Sequence, residues 1–269
     1  MTQTFKAMEL AGWNEKASAY DLHIGKVTPQ AVEPLLDATN VLPGMQVLDI
    51  ATGPGYVAGG AHRRGAIATG IDFSSSMVAQ AQRNYPDALF YEGDAESMVF
   101  PNAFFDVAIC PFGLLHLSSP EKAVAGAYRV LRPGGKYAFT VWAPPERHSF
   151  FALVLGAIAA HGSTDVALPE APPFFRFSDP DECRSILESE SFSDIKVSEI
   201  SLSWQPEEER DVLDMIYKSS VRTAKLLELQ TSEALDKIHQ HILQATREII
   251  ESDTEFHWPA VMAVATKPA

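Results

Sequence analysis

The stretch VLDIATGPGY, residues 47–56, decides how this chain is read. Val47, Leu48 and Ile50 form a short apolar run of the kind that fills a buried strand. The run carries one carboxylate, Asp49, and empties into a loop containing Gly53 and Gly55. A backbone without Cβ atoms lets a ligand come close, and Asp49 can accept hydrogen bonds from a cationic or amino group. Residues 53–58 also satisfy the loose dinucleotide fingerprint G-x-G-x-x-G/A. A plain tight turn between strand and helix is a third reading of the same residues.

The downstream spacing separates these readings. Residues 66–73 form a second buried-strand candidate. It places Asp72 at its C-terminal end, where a parallel sheet presents a carboxylate to both hydroxyls of a ribose. Ser74, Ser75 and Ser76 follow and cap a helix expected over 75–84. Met77, in its first turn, either lies against an adenine face or packs in the core. A third strand candidate, 88–91, leads into Gly93, Asp94, Ala95 and Glu96. The fourth, 105–110, follows a turn signal at Pro101 and Asn102. A helix over 119–130 runs into Leu131, Arg132, Pro133, Gly134 and Gly135. There the glycines suit a left-handed turn and the proline stops the helix. A fifth strand is expected at 136–142.

Asp49, Gly53 and Gly55 occupy the three defining positions of D-x-x-x-G-x-G. That is the first motif of class I S-adenosylmethionine-dependent methyltransferases, and the chain resembles this family. Asp94 stands where the family places an acidic residue against the adenine amino group. Residues 131–135 resemble the family's L-x-P-G-G turn. These matches occur in the family's order over about 45–142. They resemble the small-molecule branch, exemplified by ubiquinone and menaquinone biosynthesis C-methyltransferases. A dinucleotide-binding fold explains neither Asp94 nor the Pro-Gly-Gly turn.

The resemblance implies an α/β, Rossmann-like fold with a seven-stranded, mostly parallel sheet and helices on both faces. It implies S-adenosylmethionine as cofactor, held by Asp49, Ala51, Thr52, Gly53 and Gly55. Beyond that loop, Asp72, Phe73, Met77, Asp94, Ala95 and Pro111 would border it. It also implies a helical lid in residues 1–40 of a single domain covering 1–269. Helices are expected at 8–20 and at 28–38, the latter with Thr28 as cap and Pro29 at its first position. Trp13 and Tyr20 repeat a Trp-x6-Tyr spacing of this branch. They either touch cofactor or substrate, or anchor the lid.

Residues 143–177 and 205–257 read as insertions that build a substrate pocket over the cofactor end of the sheet. A capping-box pattern at 178–182 starts a helix reaching about 190. Residues 195–204 alternate as a strand. Helices are expected at 206–230 and 231–252, the second with an apolar stripe through Ile238, Ile242 and Ile249, and a last strand at 258–266. The aromatic residues Trp13, Tyr20, Trp142, Phe150, Phe151, Phe174 and Phe175 point to a small, apolar acceptor.

Methyl transfer is an in-line displacement, so positioning supplies most of the catalysis, and no metal is obligatory. Residues 111–116 border the methyl group in this fold. They lack the (Asp/Asn/Ser)-Pro-Pro-(Tyr/Phe) of nucleic-acid amino methyltransferases. Cys110 precedes Pro111, the reverse of the cytosine-C5 order, and reads as a core thiol. His116 is the best-placed general base, unless it only braces the next helix. Tyr20, from the lid, could approach the acceptor as well. His148 and Phe174 are further substrate-contact candidates, and His23 and His161 are weaker candidates for the base. His239 and His241 face different directions on one helix and make poor metal partners.

With 269 residues and a net charge of −14, the chain offers no basic face for nucleic acid or an anionic membrane. Its longest apolar run, 150–160, is too short to cross a bilayer. The two cysteines, Cys110 and Cys183, and the lack of a signal peptide suggest a reducing cytoplasm. A homodimer is compatible with all of this. The expected activity is methyl transfer to oxygen, carbon or nitrogen of a small, fairly apolar metabolite. Three alternatives stay open. One is a cyclisation or pericyclic step that uses the bound sulfonium electrostatically. Another is a non-catalytic cofactor-binding protein, and the third a nicotinamide-dependent oxidoreductase.

Overall fold

The computed structural model describes residues 4–269. Helix α1 (Phe5–Tyr20) comes first, followed by α2 (Val32–Ala38) and strand β1 (Gln46–Ile50). Then α3 (Tyr56–Arg63), β2 (Ile67–Asp72), α4 (Ser75–Asn84), β3 (Leu89–Glu92) and β4 (Phe105–Pro111) alternate. Helix α5 (Pro120–Val130) and strand β5 (Leu131–Trp142) complete the parallel half. Next come α6 (Ser149–His161), α7 (Pro180–Ser189), β6 (Ser193–Ile200) and β7 (Ser203–Trp204). The chain ends with α8 (Asp211–Ser219), α9 (Arg222–Glu228), α10 (Ser232–Glu251), β8 (Phe256–His257) and β9 (Ala260–Thr266).

Seven strands form one sheet in the order β3-β2-β1-β4-β5-β9-β6. The first five are parallel, and β9 runs antiparallel between β5 and β6. β1 is buried along most of its length, as an apolar run covered on both faces must be. Strand order reverses direction between β1 and β4. Open α/β sheets bind ligands at such a switch point, outside the carboxyl ends of the strands. Register brings those ends together: Asp49 pairs with Gly70 of β2 and with Ile109 of β4.

Several boundaries differ from the sequence reading. The segment 28–38 starts as a 3-10 turn over Thr28–Ala31 before α2. The turn at 131–135 is absorbed into β5, which pairs with β4 from Leu131 onward through a bulge. Gly134 there has φ +80° and donates to the Lys267 carbonyl. The strand expected at 195–204 splits, and Ser203–Trp204 pairs with Phe256–His257 as a separate two-stranded sheet. Pro259 interrupts the last strand, because it has no N–H for a ladder. The helix expected over 206–230 breaks at Ser219 and Ser220. Their hydroxyls donate to the Met215 and Ile216 carbonyls and compete with the helical ladder.

The apolar interior has two separate parts. The large core wraps both faces of the sheet. A small one gathers Phe5, Met8, Trp13 and Ala17 of α1 with Met77 and Val221. Helix α1 packs on α4 and α8 over the switch point. A Cβ on Gly12 would lie 2.5 Å from the Val221 side chain, so this glycine sets how closely α1 seats. Gly12→Val should therefore overpack the seam at a cost of roughly 1–3 kcal/mol. Hydrogen exchange should show lost protection in residues 5–20 while the sheet stays protected. Unchanged protection of α1 would show that its seat is set elsewhere.

Candidate active site

The loop after β1 is held by a buried carboxylate. Asp49 is 0% exposed, and its Oδ2 accepts from Thr52 Oγ1 at 2.6 Å and from the Ala58 N–H at 2.9 Å. Its Oδ1 has no hydrogen-bond partner among the described residues. Burial pushes the carboxyl up to about 7 against those two bonds. Asp49 and Thr52 therefore brace the loop from beneath and do not line the cavity above it. Gly55 is also structural: φ is +90°, and a Cβ would press on Phe90 and Ala81. Gly53 differs, with φ +51° and open space where a Cβ would project.

Above the loop, Asp72 accepts from the Gly53 N–H and the Ser74 N–H, each at 2.9 Å. Burial pushes its carboxyl up to about 6. Ser74 caps α4 by accepting from the Met77 N–H and donates to Asn14 Oδ1 of α1. Asp94 accepts from the Glu96 N–H and Ser97 Oγ, and Lys6 of α1 binds it at 2.5 Å. Lys6 also bridges Glu96 at 2.8 Å. That ion pairing holds the Asp94 carboxyl low, against the opposing pull of partial burial.

Gly53, Asp72 and Asp94 line one end of a cavity of about 1220 Å³, a volume counted out to its mouth. Ala51, Phe73, Met77, Ala95 and Pro111 line it too. Trp142, Phe150, Phe151 and Phe174 wall the other end, and Trp13 and Tyr20 close over it from α1. Ala51 and Phe112 both line it with φ +54°. Left-handed non-glycine backbone is strained, and such residues cluster at functional sites.

His116 lines the cavity on the turn after β4. Its Nδ1 lies 2.9 Å from Glu9 Oε2 on α1, and the same oxygen accepts from Trp13 Nε1 at 2.9 Å. Glu9 is 0% exposed, and its Oε1 has no partner among the described residues. Tyr20 Oη sits 3.4 Å from Thr28 Oγ1, and burial pushes this phenol up to about 12. Tyr20 therefore keeps its proton near neutral pH.

His148 does not line the cavity. It is fully buried behind Trp142, Phe151 and Trp258, and its Nδ1 accepts from the Phe151 N–H as the cap of α6. Burial pushes it down to about 3, so it is neutral. Phe175 packs behind Phe151 and Phe174 in an adjoining smaller pocket. His239 bonds the Tyr217 hydroxyl, and His241 pairs with His161, away from the cavity. Among the described residues, no three His, Cys, Asp or Glu side chains gather as a metal site.

Lys6, Glu9 and Arg222 are functional candidates that the sequence reading passed over. Arg222 lines the cavity rim, and its Nη1 donates to the Pro172 carbonyl. Glu9 did leave a signal. It stands four residues from both Phe5 and Trp13, a charge on the apolar stripe of α1.

Known proteins agree with this geometry. The family described as "Methyltransferase domain" matches residues 48–139. The chain is 35% identical over 111 residues to a demethylmenaquinone methyltransferase of Renibacterium salmoninarum, covering 41% of this chain and 47% of that one. It is 39% identical over 119 residues to a ubiquinone/menaquinone biosynthesis C-methyltransferase of Ralstonia pickettii, covering 40% and 49%. It spans about half the length of these curated relatives. The YcgJ protein of Bacillus subtilis shares the fold, with a TM-score of 0.57 at 18% identity over 89% of this chain and 99% of that one.

Asp49 and Asp72 have a pH signature. Both carboxyls are raised above their ordinary value of 3.8, so the folded chain keeps protons that the unfolded chain has released. Each therefore makes the fold less stable as pH rises from about 4 toward its folded value. His148 acts oppositely between about 3 and 6.5, because the unfolded chain takes up the proton first. Replacing Asp49 by Asn isolates one contribution. The stability of the natural chain minus that of Asp49→Asn, from urea unfolding, should fall by up to about 1.4 kcal/mol per pH unit between about 4 and 7. A difference flat across that range would show that Asp49 is ionised throughout.

Proposed function

We propose that this chain, whose residues 48–139 place it among the class I S-adenosylmethionine-dependent methyltransferases, methylates a small, fairly apolar acceptor held beneath α1. One observation carries the reading. A single cavity joins an end lined by glycine and carboxylates to an aromatic end, and Pro111, Phe112 and His116 stand at the junction.

The donor set suits S-adenosylmethionine. An ionised carboxylate offers about four lone-pair positions. Asp72 uses two of them, on Gly53 and Ser74, which leaves two for the paired hydroxyls of a ribose. Asp94 uses three, on Lys6, Glu96 and Ser97, which leaves one for an adenine amino group. Gly53 would let the ligand approach the loop closely, and Met77 and Phe73 offer apolar faces. When bound, S-adenosylmethionine supplies an electrophilic methyl group on a sulfonium.

This chain's own residues then hold the acceptor in line, and such positioning is worth about 7–11 kcal/mol in favourable cases. The aromatic wall excludes water and can stabilise a nearby cation by about 0.5–2 kcal/mol. Tyr20 orients the acceptor as a donor, and His116 is the candidate base. The cavity and the net charge of −14 favour a small molecule over nucleic acid as substrate. Among the described residues no helix is long and apolar enough to cross a membrane, and we assign the enzyme to the cytoplasm. The names of the relatives favour a quinone-type acceptor and methyl transfer over cyclisation.

Incubation with methyl-labelled S-adenosylmethionine and a demethylmenaquinol analogue or simple phenols should move label into product, with chelator present. Label that stays on the donor across these probes would count against transferase activity. Cofactor binding supplies an independent check. Asp72 needs both oxygens free of a proton to accept from two hydroxyls as well as from Gly53 and Ser74, so affinity for S-adenosylhomocysteine should weaken as pH falls below about 6. Asp72→Asn should bind more weakly, by roughly 1–3 kcal/mol, without that pH dependence. Calorimetry showing equal pH dependence in both proteins would remove Asp72 from the ribose site.

A further inference from the structure

We infer that Glu9 positions His116 as the base, and that the acceptor carries an ionisable hydroxyl, a phenol or enol. The inference rests on the methyltransferase reading and deepens it. Glu9 is a fully buried carboxylate on a lid helix of an acidic protein, where a desolvated charge is costly unless paired. Its Oε2 accepts from Trp13 Nε1 and lies against His116 Nδ1, each at 2.9 Å. With Glu9 as the acceptor in the second contact as in the first, Nδ1 carries the proton and Nε2 bears the lone pair. Among the described residues Nε2 has no hydrogen-bond partner, and it is not buried, on a side chain that is 22% exposed and lines the cavity. The free lone pair therefore opens toward the acceptor.

Other charged groups face this pair. Asp72 of β2 lies within electrostatic reach of His116, and Arg222 of α9 within reach of Glu9. The ring of Trp13 packs edge-on against the imidazole at 4.9 Å, which fixes its plane.

That arrangement suits one proton transfer. The acceptor's O–H proton moves to His116 Nε2, and the O–H bonding pair stays on oxygen. In a phenolate or enolate that density is shared with the adjacent ring or alkene carbon. One base therefore serves methylation at either oxygen or carbon; at carbon the C–H proton at the methylated position is then lost and the oxygen regains a proton, and product analysis separates the two. His116 later releases its proton to solvent. A thioether or a tertiary amine needs no such base. Glu9 rides on the same helix as Lys6, Trp13 and Tyr20, so the base is complete only while α1 is seated over the cavity.

The first test needs no substrate. Nitrogen-15 NMR of histidine rings in the full chain, with S-adenosylhomocysteine added, reads which nitrogen of neutral His116 holds the proton. The natural protein should show Nδ1–H, and an Nε2–H signal there would overturn the inference outright. Glu9→Met, which removes the acceptor oxygen, should shift His116 toward Nε2–H. Glu9→Gln keeps an acceptor oxygen and should retain Nδ1–H.

In turnover with a phenolic probe acceptor, Glu9→Met should lower kcat about 10²-fold with KM nearly unchanged, and Glu9→Gln should be intermediate. Adding Glu9→Met to His116→Ala should cause little further loss, because the two act as a unit. If Glu9 only supports the fold, Glu9→Met would lower the melting temperature while the tautomer and kcat stayed normal, and the inference would be wrong. The underlying reading fails differently: the natural protein itself would transfer no methyl group.

Discussion

The buried Asp49 carboxylate is the constraint on which the rest of this site depends. It ties the end of β1 to Thr52 in the loop and to Ala58 in α3. Leaving such a group unpaired in the interior costs several kcal/mol, so the loop has little freedom to move. Once the loop is set, the Gly53 N–H points to Asp72, and the Thr52 N–H donates to the Ile71 carbonyl at 2.8 Å. Asp72 in turn receives the Ser74 N–H, and Ser74 reaches Asn14 on α1. One chain of bonds thus runs from the core of the sheet to the lid. The cavity is the space this chain leaves above the switch point.

That lid is built to be separable. Its apolar residues form their own small cluster and do not merge with the main core. The rest of its attachment is polar: Lys6 on Asp94 and Glu96, Glu9 against His116, Asn14 on Ser74 and Ser76, and Lys16 on the Tyr217 carbonyl. Just past its end, Asp21 takes the Tyr56 hydroxyl and the amides of Gln80 and Asn84. Partly exposed ion pairs contribute only about 0–1 kcal/mol each. Elements held by few buried contacts open below the cost of global unfolding. A cavity enclosed this way can admit ligands without disturbing the sheet, whose register fixes the catalytic edge.

The sheet was legible in the sequence because the first three parallel strands each carry or run into a carboxylate at the C-terminal end. Asp49, Asp72 and Asp94 mark strand or loop termini and are visible as carboxylates after apolar runs. The seven-stranded sheet follows from that order. Periodicity was less informative where side chains override it. Ser219 and Ser220 break a helix that the hydrophobic pattern would continue, and Pro259 splits a strand. The site was half legible. Residues on the loops could be placed from spacing, but Glu9 and Lys6 meet partners 107 and 88 residues away. No local pattern encodes such pairings. The only trace was Glu9 as a charge on an apolar stripe.

His116 and His148 show why residue type alone misleads. Both were read as facing the acceptor, yet their surroundings make them opposites. His116 has a carboxylate partner and an open nitrogen. His148 has neither: its Nε2 is buried without a partner, and rings of Trp142, Phe151 and Trp258 enclose it. An imidazolium there would be desolvated, so the side chain is held neutral at about 3 and serves as the cap of α6. The consequence reaches the pocket itself. With His148 uncharged behind the wall, Trp142, Phe150, Phe151 and Phe174 present apolar faces to the cavity, and His116, Arg222, Asp72 and Asp94 are charged or ionisable side chains among its polar lining. An acceptor with an apolar body and one ionisable group can satisfy that cavity in one orientation, with the ionisable group toward the base. Turned around, it would leave that group against hydrocarbon without a hydrogen-bond partner, at a cost of about 1–3 kcal/mol.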